Sequence, residues 1–232
     1  MAKCKEKEPL TFEYEKTSFP SAKIVCGTDE AGRGPLVGPV VAGACILPEG
    51  VVIEGLNDSK KISEKKREAL YDKIIESAIS YSIKEVSPEV IDEINILQAT
   101  YLAMERAINN LSVKPDFLLI DGNRAKDFKI PTETIVGGDG LSASIAAASI
   151  LAKVARDRDC IELDAQYPQY SIAKHKGYGT KAHYEAVDKY GLCKEHRPSF
   201  FKKYFENVKG SIIMTGNPVS PSLSASTIFN TV

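Results

Sequence analysis

The chain has 232 residues, of which 43% are hydrophobic and 26% are charged. This length fits one large domain with terminal extensions, and the hydrophobic content is too high for a fully disordered chain. The 30 lysines and arginines nearly balance the 31 aspartates and glutamates, which gives a net charge of −1. Bulk positive charge therefore cannot hold a polyanion, and any such ligand needs a local basic patch.

Cysteine usage and hydropathy indicate the compartment. The five cysteines include no C-x-x-C pair, which argues against a disulfide framework and a structural zinc site. The N-terminal sequence mixes charges of both signs, and no segment reaches the roughly 18 apolar residues of a membrane span. We expect a soluble protein of the reducing cytoplasm that does not bind membranes.

In the first half of the chain, hydrophobic patterning predicts strands and helices in turn. Two strands, over 24–28 and 39–47, flank a glycine-rich loop. A helix capped by Ser63 and a strand over 81–86 follow. A long helix then starts at Ser87-Pro88-Glu89, and its apolar stripe comprises Ile94, Leu97, Tyr101, Met104, Ile108 and Leu111.

The second half continues the alternation. Strands are predicted over 117–120 and 132–136, and Ser142 opens a helix of small residues that can approach the sheet closely. Two helices, over 180–189 and 199–207, form a C-terminal helical portion. This order predicts an α/β fold with a sheet flanked by helices. The predicted organisation is an N-terminal extension (1–22), a catalytic domain (23–209) and a disordered tail (210–232).

Acidic residues recur where predicted strands end. Asp29, Glu30, Asp121 and Asp139 all lie at such ends or in the glycine-rich turns beyond them. Ligands of open α/β sheets bind at this edge, and clustered carboxylates coexist when hard cations neutralise them. The pattern predicts a site for Mg²⁺ or Mn²⁺. Because adjacent strand residues point to opposite faces, Asp29 and Glu30 can share a site only beyond the last regular strand residue.

Asp157 competes with Asp139 as the fourth acid. If the helix that opens at Ser142 is continuous, a rise of about 1.5 Å per residue places Asp157 roughly 22 Å from its start. The two acids then cannot serve one site. Asp139 lies beside the positive end of the helix, whereas Asp157 is expected to form a structural ion pair with an arginine.

A basic segment lies near the C-terminus. Between Lys174 and Lys203, eight lysines and arginines face three acids, and three histidines and three tyrosines are interleaved with them. This composition suits a polyanion with stackable groups, although a solvated helical face has a similar one. The Gly32-Arg33-Gly34 loop lacks the lysine of a phosphate-binding P-loop. No Ser-His-Asp or Cys-His catalytic arrangement is indicated.

Six sequence blocks in this order resemble ribonuclease HII, the type 2 ribonuclease H family. The blocks are Thr28 to Pro35 (TDEAGRGP), Asn57 to Lys61 (NDSKK), Ile120 to Asn123 with Gly138-Asp139, Ser144 to Val154 (SIAAASILAKV), His175 to Tyr178 (HKGY) and His196-Arg197. The resemblance implies a ribonuclease-H-like mixed sheet. It also implies an endonuclease that cuts the RNA strand of RNA/DNA hybrids and single ribonucleotides within duplex DNA.

The resemblance assigns roles to individual residues. Asp29, Glu30, Asp121 and Asp139 would bind two divalent ions, and cleavage would leave 5′-phosphate and 3′-hydroxyl ends. The substrate-binding residues would be Gly32, Arg33, Gly34 and Tyr178, and the basic segment adds Lys174 and Lys176. We expect a monomer whose partner is nucleic acid.

Two other readings of the same residues stay open at this point. One is a different metal nuclease of the same fold, such as a DNA junction resolvase or an exonuclease. The other is a noncatalytic module that binds RNA/DNA hybrids and whose acids hold structural ions. Metal-dependent turnover of a labelled substrate separates these readings.

Overall fold

The computed structural model describes residues 10–57, 59 and 62–207, and its centre is one mixed sheet. The sheet order is β3-β2-β1-β4-β5, in which β1 pairs antiparallel with β2 and parallel with β4. This arrangement confirms the predicted α/β fold with a mixed sheet. The strands are β1 (Val25–Ala31), β2 (Val40–Ile46), β3 (Ser80–Val86), β4 (Phe117–Asp121) and β5 (Thr132–Ile135).

Helices cover the sheet and form the C-terminal portion. They are α1 (Glu13–Ser18), α2 (Glu64–Ser77), α3 (Pro88–Asn109), α4 (Ala143–Gln166), α5 (Ile172–His175) and α6 (Lys181–Tyr190). A short 3-10 helix (Pro198–Phe201) leads into a last helical turn over 202–207. Within the described part of the chain, no helix is long and apolar enough to cross a membrane. The tail predicted over 210–232 lies outside the described residues.

The helix α4 lies directly against the middle of the sheet. A Cβ atom added to Gly27 would lie 2.1 Å from the backbone carbon of Ser144, and one added to Gly43 would lie 2.3 Å from the Ala148 carbonyl oxygen. Only glycine on the strands and small residues on the helix permit this approach. The expected close packing of the small-residue helix is therefore confirmed, and it brings the start of α4 against Gly27 of β1.

The helix α3 differs from its prediction. The helix is not continuous, because Asn95 adopts a left-handed φ of 68° and interrupts it. The Asn95 side-chain oxygen accepts hydrogen bonds from the backbone N–H groups of Leu97 (3.0 Å) and Gln98 (3.2 Å), so it caps the second half. The predicted packing on the core holds for most of the stripe. Met104, Ile108 and Leu111 are buried in the core, and Ile94 and Tyr101 pack against it.

The residues just before β1 pack against the domain. Phe12, Tyr14 and Phe19 from α1 and its flanks contact a small core cluster that includes Ile145 of α4. Glu15 of α1 is fully buried, and its carboxylate accepts a 3.0 Å hydrogen bond from the Ser144 N–H at the start of α4. The predicted extension thus contributes a side chain to the end of α4 that adjoins the acidic residues.

Candidate active site

Three of the predicted acids meet at one edge of the sheet. Asp29, Asp121 and Asp139 offer carboxylate oxygens that lie within 4.8 Å of one another. They come from β1, the end of β4, and the 3-10 turn Gly138–Gly140 before α4. In the described residues this is the only such group of histidine, cysteine or acidic side chains. Carboxylate oxygens are the hard ligands that Mg²⁺ and Mn²⁺ prefer, so the donor set fits a small divalent cation.

Glycine-rich backbone holds Asp139 against Asp121. Gly137 adopts a left-handed φ of 70°, which turns the chain after β5 towards α4. The N–H group of Gly138 then donates a 2.8 Å hydrogen bond to the Asp121 carboxylate. The carbonyl of Gly138 accepts from the N–H group of Ser142 at 2.8 Å, and this bond fixes the turn to the helix start. Both acids are therefore held by local backbone geometry.

The electrostatics of Asp29 favour the binding of a cation. This side chain is only 5% exposed. Burial, followed by the nearby charges of Glu30 and Asp121, raises the pKa of Asp29 well above its usual range, although a hydrogen bond with Ser149 opposes this shift. A cation at the three carboxylates would offset the repulsion and favour the ionised form.

The structure separates Glu30 from the other acids. The predicted end of the first strand at residue 28 is wrong, because β1 continues to Ala31 and both acids pair with β2. Their side chains point to opposite faces of the sheet. Glu30 lies outside the group of three carboxylates and forms an ion pair of 3.2 Å with Arg33. A role for Glu30 as a metal ligand stays a prediction.

Asp157 has the structural role that its position indicated. The helix α4 is continuous over Ala143–Gln166, so Asp157 lies far along it from Asp139. Its carboxylate is 4% exposed and pairs with Lys153 at 2.5 Å and Arg67 at 3.4 Å. The predicted structural ion pair with an arginine is confirmed.

The predicted substrate-binding loop lies beside the predicted stacking tyrosine. A Cβ atom added to Gly34 would lie 3.1 Å from the Tyr178 ring, and Gly32 has a left-handed φ of 96°. The N–H group of Leu36 donates to the Gly177 carbonyl at 2.8 Å, which joins the two segments. Tyr178 is 53% exposed. The structure thus places an open aromatic face next to a loop without side chains at two positions.

The basic segment divides into a surface part and a buried part. Lys174 is exposed, and Lys176 forms an ion pair of 3.1 Å with Glu64. Two of its three histidines are not available as surface groups for a polyanion, because His183 and His196 are buried with their Nε2 atoms 3.0 Å apart. Burial lowers the pKa of both rings, and that of His196 falls to about 4.

The structure also brings a cysteine to a histidine, which the sequence did not indicate. Cys193 Sγ lies 3.0 Å from His196 Nδ1. This nitrogen also accepts the Cys193 backbone N–H at 2.9 Å, and burial raises the pKa of the thiol. The pair therefore lacks the thiolate of a nucleophilic cysteine.

Sequence reasoning missed side chains that support the site. Ser149 bonds to Asp29 and lies 2.9 Å from the Ser59 hydroxyl. Arg197 is fully buried, and its guanidinium contacts the glycine-rich loop. The only signal in the sequence was that both residues fall in the resembling blocks.

Known proteins are similar to this chain in sequence and in fold. The family model for ribonuclease HII matches residues 26–208. A ribonuclease HII of Shewanella amazonensis is 57% identical over 80% of this chain and 90% of its own length. One of Vibrio parahaemolyticus serotype O3:K6 is 54% identical over 82% of this chain and 88% of its own. The crystal structure of the ribonuclease H2 of Pyrococcus horikoshii OT3 superimposes with a TM-score of 0.65 at 27% identity, covering 79% of this chain and 99% of that one.

These similarities decide against a junction resolvase, an exonuclease and a noncatalytic module. A family model that spans most of the domain and relatives above 50% identity agree with the mixed sheet and its buried acids. The chain therefore belongs to the ribonuclease HII family, and it is a ribonuclease H that hydrolyses the RNA strand of RNA/DNA hybrids.

Proposed function

We propose that the enzyme cuts both continuous RNA/DNA hybrids and single ribonucleotides within duplex DNA, leaving 5′-phosphate and 3′-hydroxyl ends. The observation that supports metal-dependent hydrolysis is the convergence of Asp29, Asp121 and Asp139 within 4.8 Å. Asp29 would hold both of two divalent ions, and Asp121 and Asp139 would complete their ligands. Glu30 would join them once its side chain leaves Arg33 and turns towards the three acids. When bound, Mg²⁺ or Mn²⁺ supplies an activated water and neutralises charge at the scissile phosphate.

The chain's own residues would place the substrate. The Gly32 to Gly34 loop follows directly from β1, which carries Asp29, so a ribose against the loop has its phosphate near the acids. Gly34 has no side chain, and the backbone can therefore approach the 2′-hydroxyl that distinguishes RNA from DNA. Arg33 would hold a neighbouring phosphate once its exposed ion pair with Glu30 opens.

The remaining proposed contacts lie around this loop. Tyr178 would pack its exposed ring against the sugar after the ribonucleotide. Lys174 and Lys176 would contact phosphates without reading bases. We further propose a monomer that works in the cytoplasm. The four described cysteines are free thiols, as a reducing compartment requires.

The Asp29→Asn variant tests the metal chemistry. An amide can still coordinate but cannot neutralise two cations, so we expect turnover to fall by about 1000-fold while the protein stays folded and binds a hybrid. The assay uses a labelled hybrid and a duplex DNA with one ribonucleotide, in Mg²⁺ and in Mn²⁺, followed by analysis of the product ends.

The control is Asp127→Asn, which removes an exposed acid that pairs with Lys129. This variant should keep normal turnover. Near-normal cleavage by Asp29→Asn would contradict the metal assignment. Cleavage of hybrids without cleavage at a lone ribonucleotide would contradict the wider substrate range.

A further inference from the structure

A buried arginine faces the backbone of the substrate loop. Arg197 is fully buried, and it lies at the start of the C-terminal 3-10 helix, more than 150 positions from the loop. All five of its N–H donors are used on carbonyls between β1 and β2. Nε and Nη2 donate to Gly38 (2.9 and 2.7 Å), Nη2 also to Gly32 (2.7 Å), and Nη1 to Arg33 (3.2 Å) and Pro35 (2.8 Å).

This guanidinium is a costly group to bury. Among the described residues no carboxylate forms an ion pair with it, and burial and the charge of Arg156 lower the pKa of Arg197 to about 9. A buried cation of this kind is rarely favourable for stability compared with an apolar side chain of similar volume. The geometry of the guanidinium, however, suits it to holding a loop in place, since a planar fork with five donors can fix several carbonyls at once.

The hydrogen bonds to Arg197 also decide what the Gly32 to Gly34 loop presents on its opposite side. With the carbonyls of Gly32, Arg33 and Pro35 turned towards Arg197, the loop has its acceptors fixed inward. The N–H groups of Arg33 and Gly34 donate to no group in the described part of the chain. The loop therefore keeps two backbone donors for a ligand oxygen, next to the exposed ring of Tyr178.

We propose that Arg197 is a positioning residue for substrate recognition, which holds the Gly32 to Gly34 loop so that its N–H groups face the 2′-hydroxyl of the ribonucleotide. Arg197 itself does not touch substrate, because it is fully buried behind the loop. This proposal rests on the proposed function of the loop.

The test compares Arg197→Lys with Arg67→Lys. Lysine keeps the positive charge but offers one nitrogen and no fork. Arg67 is the matched control, because it is also largely buried and also donates to loop carbonyls, those of Ser59 and Ile62. Melting temperature, Mn²⁺ binding by calorimetry and the amide NMR signals of Arg33 and Gly34 are measured. Affinity for a hybrid and for an all-DNA duplex is measured together with cleavage of the hybrid.

We expect kcat/KM on the hybrid to fall about 100-fold in Arg197→Lys, as is typical of a displacement of about 1 Å in a substrate-positioning element. The signals of Arg33 and Gly34 should shift, whereas Mn²⁺ affinity and binding of the all-DNA duplex should change less than about twofold, because neither uses the 2′-hydroxyl contact. Both variants should lower the melting temperature. Arg67→Lys should not reproduce the fall in kcat/KM or the shift of the Arg33 and Gly34 signals.

Two results would overturn the proposal. One is a fall in hybrid cleavage no larger than that of Arg67→Lys, and the other is an equal loss of affinity for the hybrid and the all-DNA duplex. Either would make Arg197 a packing residue. Asp29→Asn in the same assay keeps the proposals apart, because its failure to abolish cleavage contradicts the metal chemistry whatever Arg197 does.

Discussion

Glu15 accepts a hydrogen bond of 2.6 Å from the hydroxyl of Ser142, which lies 127 positions later in the chain. Ser142 is the N-cap of α4, and its Oγ also accepts the Ile145 N–H at 3.1 Å. The Glu15 carboxylate accepts the Ser144 N–H as well. A carboxylate suits the positive end of a helix, and this helix end directly follows the turn that carries Asp139.

Replacing Glu15 by Ala should lower the free energy of unfolding by about 2 kcal/mol, because two buried donors of the α4 cap lose their acceptor. Urea unfolding measures the change. The matched control, Glu13→Ala, removes an exposed acid of the same helix and should stay within about 0.5 kcal/mol of the wild type. Equal changes in the free energy of unfolding of the two variants would show that the Glu15 cap of α4 contributes nothing to stability.

Asp139→Asn and Asp157→Asn should have opposite phenotypes. Asp139→Asn should abolish turnover with little change in melting temperature. Asp157→Asn should lower the free energy of unfolding by about 3 kcal/mol, because Lys153 and Arg67 lose a buried partner, yet it should retain turnover below its melting temperature. Turnover and thermal unfolding of both proteins check this, and a reversed pattern would contradict the assignment of Asp139.

Tyr178→Ala should reduce cleavage at a lone ribonucleotide more than cleavage of a continuous hybrid, because the ring would pack on the deoxyribose that follows the ribonucleotide. Tyr178→Phe keeps the ring and serves as the control. Gly34→Ala should impair both substrates, since its Cβ atom would lie 3.1 Å from the tyrosine ring. Kinetics measured in parallel give the ratio of the two cleavage rates for each variant. Equal losses of activity on the two substrates in Tyr178→Ala would leave this residue as a general stacking group.

The buried histidines predict a dependence of stability on pH. Burial, and then the neighbouring His183, lower the pKa of His196 to about 4 from an ordinary value of 6.5. The unfolded chain therefore takes up this proton before the folded protein does, and the free energy of unfolding should fall as the pH drops from 6.5 to 4. The contribution of His196 is about 3 kcal/mol.

Urea unfolding of the wild type and His196→Gln, in metal-free buffer at several pH values, measures this contribution. The difference between the two proteins should shrink as the pH falls through that window. Groups such as Asp29 contribute equally to both proteins and cancel in the difference. A constant difference would mean that His196 does not titrate as its burial requires.

The sequence by itself was enough to predict the sheet and most of the acid positions. The apolar run that ends at Asp121 identified a strand end, because side chains buried on both faces leave a continuous hydrophobic signal. The choice of Asp139 over Asp157 needed only the helix rise. The sequence also predicted that Asp157 pairs with an arginine, and the structure identified Arg67 as that partner.

Only the tertiary structure decided the polar contacts that cross the chain. Glu30 faces away from Asp29 because pairing with β2 extends β1 to Ala31, and the kink at Asn95 turns α3 by a side-chain cap. Arg197 reaches Gly32 across 165 positions, as Glu15 reaches Ser142. Local periodicity reports which face of an element is buried, whereas the partner of a buried polar group depends on how distant segments pack together.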